Sequence, residues 1–512
     1  MLQKLTNLRL PIGFDNDTIK TTITKKIGNY KFVKLDRLSI DSRHKGNIHY
    51  VASVIVDGKA NSKLTEYIQP KTKVSELATC KVSLSSRPII IGSGPCGMFA
   101  GLVLSHYGLK PIIFEGGDKV ENRSKIVTNF NLGGNLDENT NIQFGEGGAG
   151  TFSDGKLNTG ISSEYIQIVL NEFVNHGAKE DILYSAKPHI GTDILKNVIK
   201  NIRMTIESLG GEYKFNSKVD EIIINNGKVV GVRSCGVTYD SENVILACGY
   251  SARDTITKLY YQGVNMTAKP FAVGARVEHS QQLIDIGQYG NTKGLPPADY
   301  KLSHRLSNGR GCFTFCMCPG GYVMPSMSEA NTIVTNGMSE NKRDSGFANS
   351  AILVGVEPED FGGGVLDGFK FQEKLEKEAY RVGNNYSAPA VKVSDFINGK
   401  TSKDISSVKT TYSRGLVSGD FQKIFDKKIA VGMKEGLVAF GKKINGFDKN
   451  GILIGVESRS SSPVRIERDE LGMSNIKGLY PAGEGAGFAG GITSSAVDGI
   501  KTALKLIANN KN

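Results

Sequence analysis

The first eighty residues alternate apolar and polar positions in short blocks. Four blocks predict, in chain order, a strand, a helix with an aspartate cap and two further strands, at residues 4–10, 15–27, 30–39 and 48–57. Few apolar positions follow before residue 83. The pattern therefore predicts a small α+β domain over residues 1–82.

The next stretch, from Arg87 to Glu115, has two apolar runs separated by small residues. Pro88 to Ile91 and Ile112 to Phe114 predict buried strands. Met98 to Ser105 predicts the helix between them, after a glycine turn. This order is typical of a βαβ unit with parallel strands.

Beyond this unit, the apolar spacing predicts an amphipathic helix over residues 192–209 and a strand over residues 212–219. A hairpin with its turn at residues 225–227 and an apolar strand over residues 243–249 follow. Parallel strands joined by a short antiparallel excursion indicate a doubly wound sheet whose crossover is a β-meander.

The remaining chain mixes strands at residues 271–278 and 352–356 with a helix at residues 372–381. It closes on a short strand, a small-residue loop and a helix from about Ile492. We predict an α/β protein with four segments. They are a small basic α+β domain (1–82), the first part of a nucleotide-binding domain with its β-meander (83–255), an inserted α+β substrate domain (256–455) and the return of the nucleotide-binding domain (456–512).

The glycine turn matches the needs of a bound dinucleotide. Gly92 permits the tight turn, Gly94 lets the backbone approach a pyrophosphate, and Gly97 lets the helix lie close to the sheet. Glu115, at the end of the second strand, can accept hydrogen bonds from ribose hydroxyls. With 61 glycines in 512 residues, the bare spacing arises by chance about once per chain, so the alternative is a glycine-rich turn in an ordinary βαβ unit. The flanking strand and helix favour the dinucleotide site.

The closing segment is a second candidate. Gly483 and Glu484 end its strand, where a carboxylate can accept hydrogen bonds from a flavin's ribityl chain. The helix start at Gly491 to Thr493 can direct its positive end to flavin N1 and O2. The alternative is a C-terminal helix that only completes the sheet.

Composition narrows the class of protein. The chain is 39% hydrophobic and 22% charged, and no apolar run reaches the roughly 18 residues of a membrane span. The N-terminus lacks the apolar core of a secretory signal. Seven cysteines, an odd number, fit a reducing compartment. We therefore expect a cytoplasmic protein without a membrane span.

The net charge of +12 is concentrated near the N-terminus, where residues 1–80 carry fourteen Lys or Arg against seven Asp or Glu. A basic module can attract RNA or another polyanion. A lysine-rich solvated face is the alternative that we favour, because no aromatic-rich RNA-binding signature accompanies the charge.

Several stretches resemble a known family. The turn at Gly92 to Gly97, Glu115, the loop at residues 145–155 and the Gly483-Glu484 motif resemble the glutathione-reductase-type FAD-binding fold. More narrowly, the stretches FGEGGAGTFSDGKLNT, KPHIGTD, VGARVEH, TFCMCPGGYV and PAGEGAGFAGGITSSAVDG resemble a group of functionally uncharacterised FAD-dependent dehydrogenases from bacteria and plastids. The resemblance covers nearly the whole chain and implies bound FAD and a redox role.

The resemblance also implies positions for the cofactor. It places Gly92, Gly94, Pro95 and Gly97 at the pyrophosphate, Glu115 at the adenosine ribose, and Arg123 near the phosphates or ribose. It places Gly148, Ala149, Gly150 and Thr151 along the flavin or ribityl side, Val219 at the adenine, and Ala247, Cys248 and Gly249 at a strand end of the site. It completes the flavin end with Gly483, Glu484, Gly491, Ile492 and Thr493. Glu484 departs from the more usual Asp and is one methylene longer.

Four residues are catalytic candidates. His189 and Lys187 flank a proline just before a helix, where a loop histidine can donate or accept a proton. Glu278 ends a strand beside His279 and can bind a polar ligand. Cys316 belongs to a cluster with Cys312 and Cys318, whose spacing matches no standard zinc or iron–sulfur site. We therefore expect no metal. A structural histidine near a helix start and cysteines that only line the core are the alternatives.

Together these features predict an FAD-dependent oxidoreductase that moves two electrons or a hydride between an organic small molecule and the flavin. No second glycine fingerprint for NADPH is present. If NAD(P)H donates electrons, we expect it to bind briefly at the flavin face; otherwise the substrate itself reduces the flavin. A flavin-dependent RNA-modifying enzyme, docked through the basic N-terminal domain, is the alternative, and a non-catalytic FAD-dependent scaffold is a third class. Oligomeric state does not follow from the sequence.

Overall fold

A computed structural model describes residues 1–78 and 82–510 of the chain. It is a mixed α/β structure in which three larger sheets account for most of the strands. Within the described residues, no helix is both long and apolar enough to cross a membrane.

The N-terminal segment forms a four-stranded sheet of order β2-β3-β1-β4. Its elements are β1 (Leu2–Leu10), α1 (Asn16–Ile27), β2 (Lys31–Asp41), β3 (His49–Asp57) and β4 (Thr65–Glu66). Asp15 caps α1, since its carboxylate accepts a hydrogen bond of 2.7 Å from the Thr18 amide. Ile19 and Ile23 on the helix are buried against Leu8 and Val54 of the sheet. The predicted strand–helix–strand–strand order is present.

The next part of the chain contains the predicted βαβ unit. Its elements are β5 (Ile89–Ile91), α2 (Pro95–His106), β6 (Ile112–Phe114), α3 (Val120–Asn131), α4 (Tyr165–Asn175), α5 (Thr192–Ser208), β7 (Glu212–Lys214), β8 (Val219–Asn225), β9 (Lys228–Ser234), β10 (Val237–Asp240), β11 (Val244–Leu246) and α6 (Arg253–Tyr261). Helix α2 begins three residues before the predicted Met98, because the fixed φ of Pro95 suits the first helical position. The strand predicted over residues 212–219 is divided between β7 and β8.

The rest of the chain is built around a seven-stranded sheet. Its elements are β12 (Met266–Ala268), β13 (Phe271–Ser280), α7 (Gln281–Tyr289), β14 (Ser303–Arg305), β15 (Gly311–Cys318), β16 (Tyr322–Pro325), β17 (Thr335–Met338), β18 (Phe347–Val356), α8 (Asp367–Gly383), β19 (Ala388–Lys392), α9 (Val393–Ile397), β20 (Leu416–Ser418), α10 (Phe421–Ile424), α11 (Lys427–Gly441), β21 (Ile452–Glu457), β22 (Val464–Ile466), β23 (Leu479–Pro481) and α12 (Ile492–Asn509). The strands of the large sheet follow the order β14-β15-β18-β13-β21-β19-β20.

The parallel sheet has the order β23-β11-β5-β6-β7, and the chain leaves it between β7 and β11 through the antiparallel β8-β9-β10 meander. Strands β6 and β7 lie on one side of β5, and β11 and β23 lie on the other. The strand order therefore reverses beside β5. In open α/β sheets, ligands bind at the carboxyl ends of the strands at such a reversal.

Strand β2 connects the N-terminal sheet to the rest of the molecule. The Leu38 amide donates to the Tyr184 carbonyl at 2.6 Å, and the Ala186 amide donates to the Leu38 carbonyl at 2.8 Å. These two bonds extend the N-terminal sheet by a short segment that leads directly to Lys187.

Candidate functional site

A cavity of about 590 Å³ lies at the carboxyl ends of the parallel strands and reaches the seven-stranded sheet. Its walls come from the turns after β5, β6, β11 and β23 on one side. Strands β15 and β17 and the end of β21 form the other side. The volume falls in the range of small-molecule and cofactor sites.

Three glycines shape the turn after β5. Gly92 has a φ of +101°, and a Cβ on it would overlap the Ala247 carbonyl. A Cβ on Gly97 would overlap the Gly92 carbonyl, so only glycine lets α2 approach the turn this closely. Gly94 differs, because the nearest atom to its Cβ would be the Gly148 Cα at 3.8 Å. Gly94 therefore leaves open space in the cavity.

Two helices begin at this cavity. Gly94 is the N-cap of α2 and Gly491 is the N-cap of α12. The helices pack side by side, and a Cβ on Gly499 of α12 would overlap the backbone of Cys96 in α2. The first-turn amides of a helix lack intrahelical partners and favour anions. Two positive helix ends thus face one cavity.

Glu115 is buried at the end of β6 and lines the cavity. Its carboxylate accepts hydrogen bonds from the Ser93 amide at 3.1 Å, the Gly117 amide at 2.9 Å and the Gly145 amide at 3.1 Å. It also accepts from the Ser93 hydroxyl at 2.7 Å. Glu115 therefore ties the turn after β5 to the loop at Gly145, and its role at a ribose stays a prediction.

Most of the predicted cofactor residues line this cavity. They are Gly92, Gly94, Pro95, Glu115, Gly148, Ala149, Gly150, Val219, Ala247, Cys248, Gly249, Glu484, Gly491 and Ile492. The structure thus brings segments separated by some four hundred positions into one wall, although it does not itself test what they bind.

Five predicted cofactor residues do not line the cavity: Gly97, Arg123, Thr151, Gly483 and Thr493. Arg123 is fully buried and donates to the carbonyls of Asn141, Ile142 and Gly145 at 2.9–3.1 Å. Burial lowers the pKa of its guanidinium to about 10. The hydrogen bonds of Arg123 therefore hold the loop that forms the wall, and its placement near the phosphates stays a prediction.

The flavin end predicted at Glu484 carries titratable groups. Burial raises the pKa of Glu484 to about 7, partly opposed by Lys269. Tyr250 lines the same region, and burial followed by the Glu484 charge raises its pKa. The sequence analysis missed Tyr250, although it follows directly after the Ala247 to Gly249 strand end. Two groups able to hold a proton therefore lie together in this part of the wall.

Two of the four catalytic candidates line the cavity. Cys316 is partly buried on β15. Lys187 is exposed at the rim and forms an ion pair of 2.6 Å with Asp299. Lys156, which was also considered, lines the cavity and pairs with Asp154 at 3.0 Å.

The structure places His189 behind the cavity wall. Its Nδ1 contacts the Asp154 carbonyl and lies 3.6 Å from the Asp154 carboxylate, while Nε2 is buried without a partner. The Asp154 pKa is lowered despite burial, first by Lys156 and then by the bond from His189 and by Arg343. His189 is therefore part of a charged cluster beneath the wall, in line with the structural alternative.

Glu278 and His279 also lie away from the cavity. Glu278 is buried on β13 and accepts hydrogen bonds from the Thr411 amide at 3.1 Å and from its hydroxyl. The His279 Nε2 contacts the Phe447 carbonyl at 3.0 Å, and burial lowers its pKa to about 4. Both faces of β13 are covered. Glu278 and His279 are therefore not exposed to a polar ligand in this structure.

The sequence analysis also missed Glu457 and Arg459, which line the cavity at the end of β21. Glu457 forms a two-pronged pair with Arg276, with both bonds at 2.7 Å. Arg459 pairs with the buried Glu376 at 2.8 Å. Charged residues directly after the apolar strand ILIGV were the signal that could have identified them.

No cluster of metal-ligating side chains occurs among the described residues, and the six cysteines in that part of the chain are free thiols. The residues present fit an FAD group. The open space at Gly94 beside a helix start suits a pyrophosphate, and the far wall offers polar groups to a flavin ring. Gly94 and Glu484 belong to the same cavity.

Comparisons with known proteins agree with this fit. Residues 270–460 match the family model described as FAD-dependent protein, C-terminal domain-like. An uncharacterized protein of Clostridium beijerinckii is 42% identical over 526 aligned positions, which cover 99% of both chains. The domain match supports the predicted cofactor, FAD, whose chemistry is electron or hydride transfer.

Solved structures are much more distant. Glycine oxidase from Bacillus cereus is 11% identical with a TM-score of 0.33, over 84% of this chain and 98% of that one. L-proline dehydrogenase from P. horikoshii is 9% identical with a TM-score of 0.36, over 83% and 94%. At these scores neither structure carries a conclusion about this chain. The family match and the full-length relative do: the chain belongs to the family of the Clostridium beijerinckii protein, and its residues 270–460 match a domain of FAD-dependent proteins.

Proposed function

We propose that the protein transfers two electrons or a hydride between a small organic substrate and an FAD held in the cavity. The observation that carries the proposal is that two kinds of group line one cavity. Glycine turns and helix starts are the first kind, and the titratable side chains Tyr250, Cys316 and Glu484 are the second. A nucleotide needs the first kind, and proton-coupled redox chemistry needs the second.

The pyrophosphate belongs at the start of α2 in this proposal. Gly92, Gly94 and Pro95 provide space and amides there, and Glu115 with Val219 lies on the adenosine side. Gly148, Ala149 and Gly150 flank the middle of the cofactor. The proposal takes the fold to be of the glutathione-reductase type, with residues 83–255 and 456–512 as the cofactor domain and residues 256–455 as the substrate domain.

FAD supplies the hydride chemistry when bound, and the chain provides orientation and protons. The start of α12 at Gly491 and Ile492 offers positive potential, which favours negative charge on the ring. Glu484 titrates near neutral pH, so it can hold or release a proton beside the reacting atoms. Tyr250 keeps its hydroxyl proton and can donate a hydrogen bond.

The rim at Lys187 and Asp299 is the proposed entry for substrate, and for NAD(P)H if a nicotinamide serves as the transient donor. Nothing in the comparisons favours the RNA-modifying alternative. In the N-terminal segment, Lys4 forms an ion pair with Asp36 and Arg43 forms one with Asp41, which fits a solvated face.

An anaerobic reduction assay tests the proposal. The purified protein with its flavin is mixed with NADH, NADPH or a panel of small metabolites, and the visible flavin absorbance is followed. We expect one class of donor to bleach the flavin and an acceptor to restore it. A protein purified with excess FAD that retains no flavin would contradict the proposal.

A further inference from the structure

Strand β15 contains a bulge at the cavity wall. Its pairing with β18 is regular up to Phe315 opposite Ala351, and it resumes at Cys318 opposite Asn349. Cys316 and Met317 thus face a single residue of β18, and Cys316 has a φ of +44°. Bulges turn side chains away from their regular direction and often occur beside active sites. This one puts Cys316 on the cavity wall while Cys318 stays fully buried behind it.

The Cys318 Sγ donates a hydrogen bond to the Cys316 carbonyl at 3.3 Å, so the two cysteines are in contact. Both cysteines are free thiols. One sulfur therefore faces the cavity, and a second lies directly behind it within reach.

Two cations surround this pair. Lys156 donates to the carbonyl of Met317 inside the bulge, and Arg276 donates to the Cys316 carbonyl at 3.1 Å. The hydrogen bond from Cys318 lowers the pKa of Cys316 despite burial, and Lys156 and Arg276 lower it further. Burial raises the pKa of Cys318. An accessible thiolate beside a protonated buried thiol is the arrangement of an attacking and a resolving cysteine.

We propose that Cys316 and Cys318 form a redox-active dithiol between the flavin and a thiol or disulfide substrate, a role that rests on the proposed function above. In the flavin half-reaction, the Cys316–Cys318 disulfide accepts two electrons and one proton from the reduced flavin. The S–S bond breaks, Cys318 takes the proton, and Cys316 leaves as a thiolate; with a thiol substrate the same step runs in reverse.

The substrate half-reaction is thiol–disulfide exchange. The Cys316 thiolate attacks a disulfide substrate, which forms a mixed disulfide and releases one thiol. Cys318 then attacks Cys316, closes the internal disulfide and releases the second thiol. The order follows from exposure, because a molecule in the cavity reaches Cys316 before Cys318.

The first test uses the wild-type protein and does not depend on the flavin. The protein is equilibrated in mixtures of reduced and oxidised glutathione, quenched in acid and alkylated in denaturant, and its peptides are analysed by mass spectrometry. We expect a peptide with an internal Cys316–Cys318 disulfide to replace the doubly alkylated peptide as the mixture becomes oxidising. Exposed Cys235 is the internal reference. If both thiols remain alkylated at the most oxidising mixture, the dithiol role is wrong.

The second test asks whether the Cys316–Cys318 dithiol exchanges electrons with the flavin. The protein with bound FAD is reduced with dithionite, which reduces the flavin directly, freed of reductant anaerobically and mixed with oxidised glutathione. We expect wild type and the control Cys235→Ser to reoxidise their flavin, and Cys318→Ser to lose at least tenfold in this rate. Equal rates in Cys318→Ser and wild type would overturn the dithiol role but leave the flavin function intact. A protein that holds no flavin would contradict the function itself, and the first test would still decide the thiol chemistry.

Discussion

At the scale of single residues, the cavity needs two glycines for opposite reasons. A side chain on Gly97 has no room because the chain itself occupies the space. A side chain on Gly94 has room in the structure, but the space belongs to the proposed pyrophosphate. A side chain at Gly97 should therefore disturb folding, whereas a side chain at Gly94 should disturb only cofactor binding.

Gly94→Val is expected to fold and to lose the flavin, because the branched side chain projects into the open cavity. The ratio of visible flavin absorbance to protein absorbance after purification measures this loss, and we expect at least a tenfold reduction. Gly160→Val is the matched control, since Gly160 is exposed with no atom within 4 Å of its added Cβ. A Gly94→Val protein with full flavin content would contradict the placement of the pyrophosphate.

Ionisation of Glu484 should lower the stability of the cofactor-free protein as the pH rises. Burial raises its pKa from 4.5 to about 7, so the folded state binds this proton more tightly than the unfolded state. The cost of ionisation is absent below pH 4.5, grows between pH 4.5 and 7 and is complete above it. We expect the melting temperature of Glu484→Gln to fall less than that of wild type between pH 5 and 8. Parallel curves for the two proteins would contradict the shifted pKa.

Lys156→Met tests the charge beside Cys316. Without this cation the Cys316 thiolate is less stable, and its alkylation at a pH well below the wild-type pKa of about 5 should slow by about tenfold for each unit of pKa increase. Lys301→Met is the control, because it removes a cavity-lining cation that lies outside the Cys316 bulge. Equal effects of the two substitutions would show that general cavity charge, and not Lys156, activates the thiol.

At the scale of elements, Glu376 joins three parts of the fold. It lies on α8 with no exposed surface and pairs with Arg253 of α6 at 2.7 Å and with Arg459 after β21 at 2.8 Å. Burial alone would raise its pKa, yet Arg459 and Arg253 lower it to about 2. The ion pair with Glu376 also holds Arg459 at the cavity wall.

Glu376→Gln should destabilise the protein, because it leaves two buried arginines without their carboxylate. Removal of one partner from a buried ion pair typically costs about 3–5 kcal/mol. Since the Glu376 pKa is depressed, this stability is present above pH 4.5 and is lost as the pH falls toward 2. Thermal melts should therefore show a gap between variant and wild type that narrows from pH 6 to pH 3. A gap that stays constant would contradict the ionised pair.

The sequence predicts elements well where one local pattern decides them. The turn after β5, the capped helix α1 and the hairpin at Asn226 and Gly227 follow from glycine, proline and asparagine at defined positions. The bulge at Cys316 does not follow, because an extra residue in β15 depends on the pairing with β18. Regular alternation along a strand predicts Cys316 and Cys318 on the same face of β15. Only the observed strand pairing shows that Cys316 lines the cavity and that Cys318 lies behind it.

At the scale of the whole molecule, β2 joins the N-terminal sheet to the cavity rim. Leu38 exchanges hydrogen bonds with Tyr184 and Ala186, next to Lys187. None of the described residues before Ile91 lines the cavity. The described part of the N-terminal sheet therefore supports the rim without contacting a ligand.

Leu38→Pro removes the amide donor of this junction and should loosen the N-terminal sheet. We expect limited proteolysis to release N-terminal fragments at least several times faster, with flavin content unchanged. Leu38→Ala is the control, because it shortens the side chain and keeps the amide. Loss of flavin in the proline variant would show that the junction shapes the cavity as well.

Three of the cavity-lining residues could not be predicted from the sequence, because their meeting depends on how the whole molecule folds. Glu457, Arg459 and Tyr250 come from segments two hundred positions apart and meet only because two sheets face each other. The glycine wall was predictable since each of its segments carries a family motif. His189 and Glu278 do not line the cavity, because polarity near a strand or helix end does not tell which side is covered; their catalytic roles stay predictions.

The late position of α12 has a consequence for biosynthesis. The cavity is lined by Glu484, Gly491 and Ile492, which the ribosome produces some four hundred residues after the turn that follows β5. Until this segment has been made, the turn after β5 has no opposite half. In the proposed function, cofactor loading must therefore wait for the synthesis of α12, and a translation product truncated before Glu484 would lack part of the cavity.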